Sequence, residues 1–161
     1  MNLKIVGAFA ALALLAACSD NPSSNTGAAT GSGAATSGYG GASPGSQEDL
    51  VASAGDRVFF PLDSSTVTGE GRGVLDRQAS WLAKYPQVSV QLAGNCDERG
   101  TEEYNLALGQ RRANAARDYL VARGVSSARI NTISYGKDRP TALGSDDQSW
   151  SQNRNAITTV R

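Results

Sequence analysis

The sequence predicts an α/β domain in which helices pack on one sheet. Strand-like and helix-like segments alternate beyond residue 55, and this alternation is typical of a helix-on-sheet fold. Residues 19–55 are mostly small or polar, rich in Gly, Ser, Ala and Thr, with few large apolar side chains. Residues 56–161 are enough for one folded domain. We therefore expect a single domain preceded by a leader and a linker.

The leader has the features of a secretory signal. Lys4 provides a positive charge, and residues 5–17 form an apolar run that is too short to span a membrane, which takes about 20 residues. The run ends in Leu15-Ala16-Ala17-Cys18, which resembles a bacterial lipobox. That resemblance implies a signal peptide over residues 1–17 and lipidation of Cys18. The alternative is an ordinary secretory signal followed by a chance cysteine.

Residues 18–55 are predicted to be the lipidated N-terminus and a flexible linker. There is no Lys or Arg from Ser19 to Gly55, and small polar residues dominate. Such a segment buries too little apolar surface to offset its ordering entropy. Within it, Glu48 to Ala54 is predicted to form a helical turn. The folded domain is accordingly predicted to span residues 56–161.

The first half of this domain predicts strand, helix and strand. Val58–Phe60 is typical of a short buried strand. Thr68 is a suitable N-cap for a helix that runs to about Lys84, which Pro86 prevents from continuing. From residue 88 to 93, apolar and polar side chains alternate, which indicates a second strand.

The second half predicts a long helix and two further strands. Thr101 caps a helix to about Arg123, and Gly124 is placed to end it. Residues 130–135 alternate as a strand, residues 145–151 favour a short helix, and residues 156–161 favour a closing strand.

The composition excludes several classes of function. The chain has no His, which removes the usual general base, the usual zinc ligand and the Ser-His-Asp triad. The formal net charge is zero, without blocks of like charge, so no nucleic-acid partner is expected. If Cys18 carries lipid, Cys96 has no disulfide partner. Neither a metal nor a cofactor is predicted.

One side chain of the long helix breaks its apolar pattern. Arg112 lies in a stripe of residues spaced four apart, otherwise made of Leu108, Ala116 and Leu120. A buried guanidinium without a partner is costly, so an anion is expected nearby. Asp97, in the loop of residues 94–100 before the helix, is one candidate. The two residues then form either a buried ion pair or a site for an amino-acid-like zwitterion, whose carboxylate binds Arg112 and whose ammonium binds Asp97. Arg99 could add a second cationic contact.

The stretch from Gly94 to Asn114, GNCDERGTEEYNLALGQRRAN, resembles the signature of the OmpA-like peptidoglycan-binding domains. Residues 58–68, 133–140 and 153–156 resemble further segments of the same family in the same order. The resemblance is closest to the lipoproteins of that family. It implies a two-layer α/β (α+β) sandwich with a mixed βαβαβ-type sheet of about four strands and two main helices on one face.

The resemblance also implies a ligand, the meso-diaminopimelate side chain of the cell-wall peptide. Position by position, Asp97 corresponds to the residue that binds the ammonium, and Arg112 to the one that binds a carboxylate. Arg99 matches a further side-chain contact, and Asn105 is expected to brace the loop. The main-chain groups offered to the ligand correspond to Leu62, Asp63 and Ser64.

The sequence departs from the family pattern at three positions. Asn95 stands where many members have His, and Asn155 replaces an Arg. Cys96 replaces Thr or Ala and is expected to be a small buried residue rather than a redox group. Arg154, which does match, is expected to brace the last strand.

By resemblance, the chain is a non-catalytic lipoprotein of the outer membrane that faces the periplasm and holds peptidoglycan. Its implied partners are peptidoglycan, the outer-membrane lipid through Cys18, and TolB with the other Tol proteins of cell division. An alternative is a relative that anchors a different envelope machine. A wall hydrolase using Asp97, Glu98 and Glu102 is disfavoured, because two adjacent carboxylates cannot easily flank one bond.

Overall fold

The computed structural model describes residues 42–161 of the chain. The predicted signal peptide, Cys18 and most of the predicted linker lie outside the described residues. Within residues 42–161, no helix is both long and apolar enough to cross a membrane.

Each predicted strand and helix is present, with ends shifted by a residue or two. The strands are β1 (Arg57–Phe59), β2 (Val90–Asn95), β3 (Ile130–Gly136) and β4 (Asn155–Val160). The helices are α1 (Gln47–Ser53), α2 (Gly69–Lys84), α3 (Glu102–Ala122) and α4 (Asp147–Asn153). Thr68 and Thr101 cap α2 and α3 as predicted, each accepting a backbone N–H bond with its side chain. Gly124, with a φ of +94°, follows the end of α3.

The four strands form one mixed sheet in the order β1-β4-β2-β3, which confirms the predicted fold class. β2 and β3 are parallel, whereas β4 is antiparallel to both β1 and β2. The two main helices, α2 and α3, pack over one face of the sheet and enclose a single apolar core. Because β4 runs against β2, the residues before β4 lie beside the end of β2, where Gly94 pairs with Ala156. Two segments distant in sequence thus meet at one edge.

Two glycines allow α3 to approach β2 closely. A Cβ at Gly94 would overlap the carbonyl group of Gly109, and a Cβ at Gly109 would overlap the Ser134 hydroxyl. Only glycine fits such a backbone contact. One helical turn beyond Gly109, Arg112 is therefore held over the end of β2.

Helix α1 belongs to the folded unit, so the predicted boundary at residue 56 falls inside that unit rather than at its edge. Leu50 is fully buried in the core, and Ala54 is also buried. Trp81 donates from Nε1 to the carboxylate of Asp49 at 3.1 Å, and Gln78 donates from Nε2 to the carbonyl of Gly55 at 2.7 Å. Leu50 and Val51 are the large apolar residues of this segment and only Leu50 is buried, so the periodic pattern is too weak to reveal this packing.

Candidate ligand-binding site

A basin of about 320 Å³ lies where the loop after β2 meets α3 and the start of β4. Its lining comes from four separate segments of the chain. These residues are Leu62, Asp63, Cys96, Asp97, Arg99, Gly100, Tyr104, Asn105, Leu108, Arg112 and Arg154. Five of the six predicted ligand residues of the domain are among them, and Ser64 is not.

The loop of residues 94–100 is fixed from several sides. The backbone N–H of Cys96 donates to the carbonyl of Gly136 at 2.7 Å. Asn105 donates from Nδ2 to the carbonyls of Arg99 and Thr101, which confirms it as the residue that braces the loop. Lys137 donates from Nζ to the carbonyl of Gly100 at 2.9 Å. The loop therefore presents its side chains in a defined geometry.

Asp97 is buried and accepts hydrogen bonds from two arginines. Arg99 donates to it from Nη2 at 2.7 Å and from Nε at 3.1 Å, and the backbone N–H of Arg99 donates at 3.2 Å. Arg154 donates from Nη1 at 3.3 Å. Burial alone would raise the pKa of Asp97, but these hydrogen bonds and charges outweigh it and hold the pKa below the ordinary value. The carboxylate is therefore ionised at neutral pH.

Arg112 is completely buried and uses its guanidinium on main-chain carbonyls. It donates to Ser64 at 2.9 Å from Nε, to Asn95 at 2.8 Å from Nη1, and to Pro61 at 3.0 Å from Nη2. Its Nη1 also lies 3.3 Å from Sγ of Cys96. Burial lowers the pKa of Arg112, yet a guanidinium stays protonated in proteins. Arg112 forms no salt bridge with any residue from 42 to 161.

One interpretation of the sequence, a buried ion pair between Arg112 and Asp97, is therefore wrong. The salt bridges of Asp97 are with Arg99 and Arg154 instead. The reason is that three carbonyls from two chain segments converge on Arg112 and accept hydrogen bonds from three of its five N–H groups, so no carboxylate of the protein is needed beside it. Both residues still line the same basin.

The turn after β1, residues 61–64, forms another wall of the basin. The backbone N–H of Ser64 donates to the carbonyl of Pro61 at 3.3 Å, and Asp63 has a φ of 51°, which Asp tolerates better than most residues. Because the Ser64 carbonyl accepts from Arg112, both main-chain groups of Ser64 are engaged within the protein. Leu62 and Asp63 face the basin, and the Tyr104 hydroxyl lies 3.4 Å from Asp63 Oδ1.

Arg154 and Tyr104 are basin residues that sequence analysis missed. Arg154 was expected to brace the last strand, and it does donate from Nε to the carbonyl of Phe60 at 3.3 Å. It also reaches Asp97 and lines the basin, which corrects the narrower expectation. The antiparallel pairing of β4 with β2 brings it there, and no local pattern predicts that pairing.

The three residues that depart from the family pattern are all buried. Cys96 is a buried free thiol, as expected, and burial raises its pKa. Asn95 and Asn155 are both buried, and Asn95 donates from Nδ2 to Oδ1 of Asn155 at 2.8 Å. Asn155 in turn donates to the carbonyl of Gln152 at 2.6 Å. Two of the unusual residues are therefore hydrogen-bonded partners.

The other carboxylates considered for catalysis lie outside the basin. Glu98 accepts from Nε1 of Trp150 at 3.0 Å, and this hydrogen bond, with one from Ser145, lowers its pKa. Glu102 is exposed in the first turn of α3. No cluster of three potential metal-ligating carboxylate, cysteine or histidine side chains occurs in the described part of the chain.

The charges in the basin suit a ligand that carries both signs. Three guanidinium groups, from Arg99, Arg112 and Arg154, face the basin with two carboxylates, from Asp63 and Asp97. Hydrogen bonds between charged groups are strong and directional, so such a set can orient an ammonium and a carboxylate at once. The basin is therefore chemically suited to a small group that carries both charges.

Comparison with known proteins places this domain in a family. The OmpA family model matches residues 59–154. A peptidoglycan-associated lipoprotein of Rhizobium meliloti is 51% identical over 93% of this chain and 81% of that protein. A protein of the same name from Haemophilus influenzae is 43% identical over 97% of this chain and 94% of its own length. The chain therefore belongs to the OmpA family and, within it, to the peptidoglycan-associated lipoproteins.

Solved structures agree with the fold. The crystal structure of the peptidoglycan-associated lipoprotein from Burkholderia pseudomallei matches with a TM-score of 0.64 and 44% identity. It covers 66% of this chain and 90% of that one. The C-terminal domain of Helicobacter pylori MotB matches with a TM-score of 0.62 at 20% identity, over 66% of this chain and 84% of that one. At that identity the likeness concerns the fold alone.

Proposed function

We propose that this chain is an envelope lipoprotein that binds peptidoglycan non-covalently and holds the outer membrane to the cell wall. The ligand is the meso-diaminopimelate side chain of the stem peptide, whose free end carries an ammonium and a carboxylate on one carbon. In this proposal the ammonium binds Asp97, and the carboxylate binds the arginine side of the basin, formed by Arg99 and Arg112. Leu62 and Asp63 supply main-chain contacts.

The observation that carries the proposal is the buried positive charge of Arg112 at a basin wall. Its five N–H groups meet four acceptors among the described residues, which leaves one N–H of Nη2 for a ligand oxygen. The buried carboxylate of the basin, Asp97, is already shared by two other arginines. An external carboxylate therefore completes the charge balance around Arg112.

The cellular setting that we propose is supported by the lipobox-like segment that ends at Cys18 and by the names of the relatives. A lipid on Cys18 would anchor the chain in the outer membrane, and the residues up to the folded unit would let it reach the wall. Stable anchoring takes more than one acyl chain, as in a fully acylated lipoprotein cysteine. The partners would be TolB and the other proteins of the Tol-Pal system, which acts in cell division and envelope integrity.

Cosedimentation with purified cell walls tests this function. The chain, kept in detergent, is mixed with walls whose stem peptides contain either meso-diaminopimelate or Lys. We expect it to pellet with the first and not with the second, and free meso-diaminopimelate should release it. Equal pelleting with both walls would contradict the proposed ligand.

Two further measurements separate the remaining parts of the proposal. Release of soluble fragments from the walls would contradict a purely binding role. Copurification with TolB from cells would support the Tol system, whereas its absence together with intact wall binding would favour another envelope machine.

A further inference from the structure

Two arginines of the basin form salt bridges with Asp97, and Arg99 is the more exposed of the two. About 38% of its side chain is exposed, compared with 17% for that of Arg154. An exposed arginine has many rotamers, and fixing one of them on a carboxylate opposes its conformational entropy. A second contact that restricts the Arg99 side chain would therefore stabilise its two hydrogen bonds to Asp97.

The indole of Trp150 provides that support. The Cζ atom of Arg99 lies 4.2 Å from the centroid of the Trp150 ring, a distance at which a guanidinium stacks on an aromatic face. The indole is itself held, because its Nε1 donates to Oε1 of Glu98 at 3.0 Å. Glu98 is the residue between Asp97 and Arg99, so the contacts close a ring around the loop.

Helix α4 connects the same tryptophan to the second partner of Asp97. The backbone N–H of Arg154 donates to the carbonyl of Trp150 at 3.2 Å. The backbone N–H of Trp150 donates to the carbonyl of Asp146, the N-cap residue of the helix, at 2.8 Å. One short helix therefore sets the position of both arginines that contact Asp97.

We propose that Trp150 is a positioning residue of the basin, which holds the Arg99 guanidinium in place against Asp97. That Arg99 contacts a ligand rests on the proposed function, whereas the placing of Arg99 by Trp150 does not. A guanidinium fixed before the ligand arrives leaves less freedom to be lost on binding. Trp150 therefore strengthens binding without touching the ligand.

The test compares Trp150→Leu with Trp150→Phe in the full chain, because Phe keeps an aromatic face and Leu does not. The readout is the pKa of the Asp97 carboxyl, followed by NMR. The charged groups around that carboxyl are Arg99, Arg154 and Arg112, together with Glu98 and Asp63. We expect Trp150→Leu to raise the Asp97 pKa and Trp150→Phe to leave it close to that of the parent chain.

A double-mutant comparison isolates the route through Arg99. Arg99→Ala should raise the Asp97 pKa, and adding Trp150→Leu should raise it no further. A further rise in the double variant, or equal rises with Phe and Leu, would overturn the proposal. In the unmutated chain, the side-chain protons of Arg99 should be shifted by the indole ring current. Unshifted Arg99 resonances would overturn the proposal without any variant.

Binding of a meso-diaminopimelate peptide gives the second readout. Trp150→Leu should bind about two- to fivefold more weakly than the parent chain, as expected for loss of one exposed cation–π contact. Trp150→Phe should bind within about twofold of the parent. If the parent chain does not bind the peptide, the proposed function fails while the pKa result still decides the role of Trp150. If the parent binds and Trp150→Leu changes neither readout, only the positioning role fails.

Discussion

Arg112 and Asp97 line one basin, yet each satisfies its charge with different groups. Asp97 accepts from Arg99 and Arg154, whereas Arg112 donates to three main-chain carbonyls. Arg112 therefore has two roles, because it ties the turn after β1 to the end of β2 and also brings positive charge to the basin.

Arg112→Ala should lower the free energy of unfolding by about 2–4 kcal/mol, because it leaves buried carbonyls without donors. Arg111→Ala is the matched control, since the neighbouring side chain is exposed, and it should change stability by no more than about 0.5 kcal/mol. Urea denaturation measures both values. A loss below about 1 kcal/mol for Arg112→Ala would show that water replaces the guanidinium without cost.

Asp97 should make stability depend on pH. The pKa of Asp97 is lowered in the folded protein, so the ionised carboxylate adds to the free energy of unfolding. This stabilisation is fully present above the ordinary Asp pKa, which lies near 4, and is lost as the pH falls through the lower pKa of the folded protein. Asp97→Asn should flatten this part of the profile of unfolding free energy against pH. Asp118→Asn, at an exposed residue, should keep the parent profile. A parent-like acid profile for Asp97→Asn would contradict the assigned salt bridges.

Gly94→Ala should destabilise the protein severely, by more than about 3 kcal/mol, because the new methyl group overlaps the backbone of Gly109. Gly73→Ala is the control of opposite sign. In the first half of α2 its Cβ would meet only the flexible end of Arg77, at 3.8 Å, so it should stabilise by about 0.5–1 kcal/mol. Thermal unfolding distinguishes the two. Tolerance of Ala at residue 94 would refute the close approach of α3 to β2.

Helix α1 offers a test of where the folded unit begins. Leu50→Ala should cost about 2–4 kcal/mol of unfolding free energy, because Leu50 is fully buried in the core. Val51→Ala, at a residue that is 48% exposed, should cost less than about 1 kcal/mol. Similar values for the two variants, measured by urea denaturation, would show that α1 is part of the linker and not of the folded unit.

Much of this fold follows from local sequence. Thr68 and Thr101 predict their helices because a side-chain cap acts on the very next turn, and the alternation of residues 130–135 predicts β3 directly. The order β1-β4-β2-β3 does not follow in this way, because it depends on pairings between distant segments. Arg154 was consequently missed as a basin residue, since β4 must first pair with β2 to bring it there.

Most of the residues that the sequence predicts for the site line the basin, but their hydrogen bonds did not follow from the sequence. The position of Arg112 in an apolar stripe correctly indicated a buried guanidinium, but the partner expected within the protein was an anion. Spacing along a helix cannot reveal that carbonyls of Pro61 and Ser64, some fifty positions away, supply them. The hydrogen bond between Asn95 and Asn155 could not be predicted either, because the sheet brings these two distant residues together.

The central claim is that the basin recognises the charged carbon of meso-diaminopimelate, and calorimetry tests it most directly. The chain in detergent is titrated with three stem peptides, ending in meso-diaminopimelate, in its amidated form, or in Lys. We predict that the first binds, that the other two bind far more weakly, and that Asp97→Asn loses about 2–5 kcal/mol of binding free energy. Equal affinity for the three peptides, or unchanged binding by Asp97→Asn, would contradict the account.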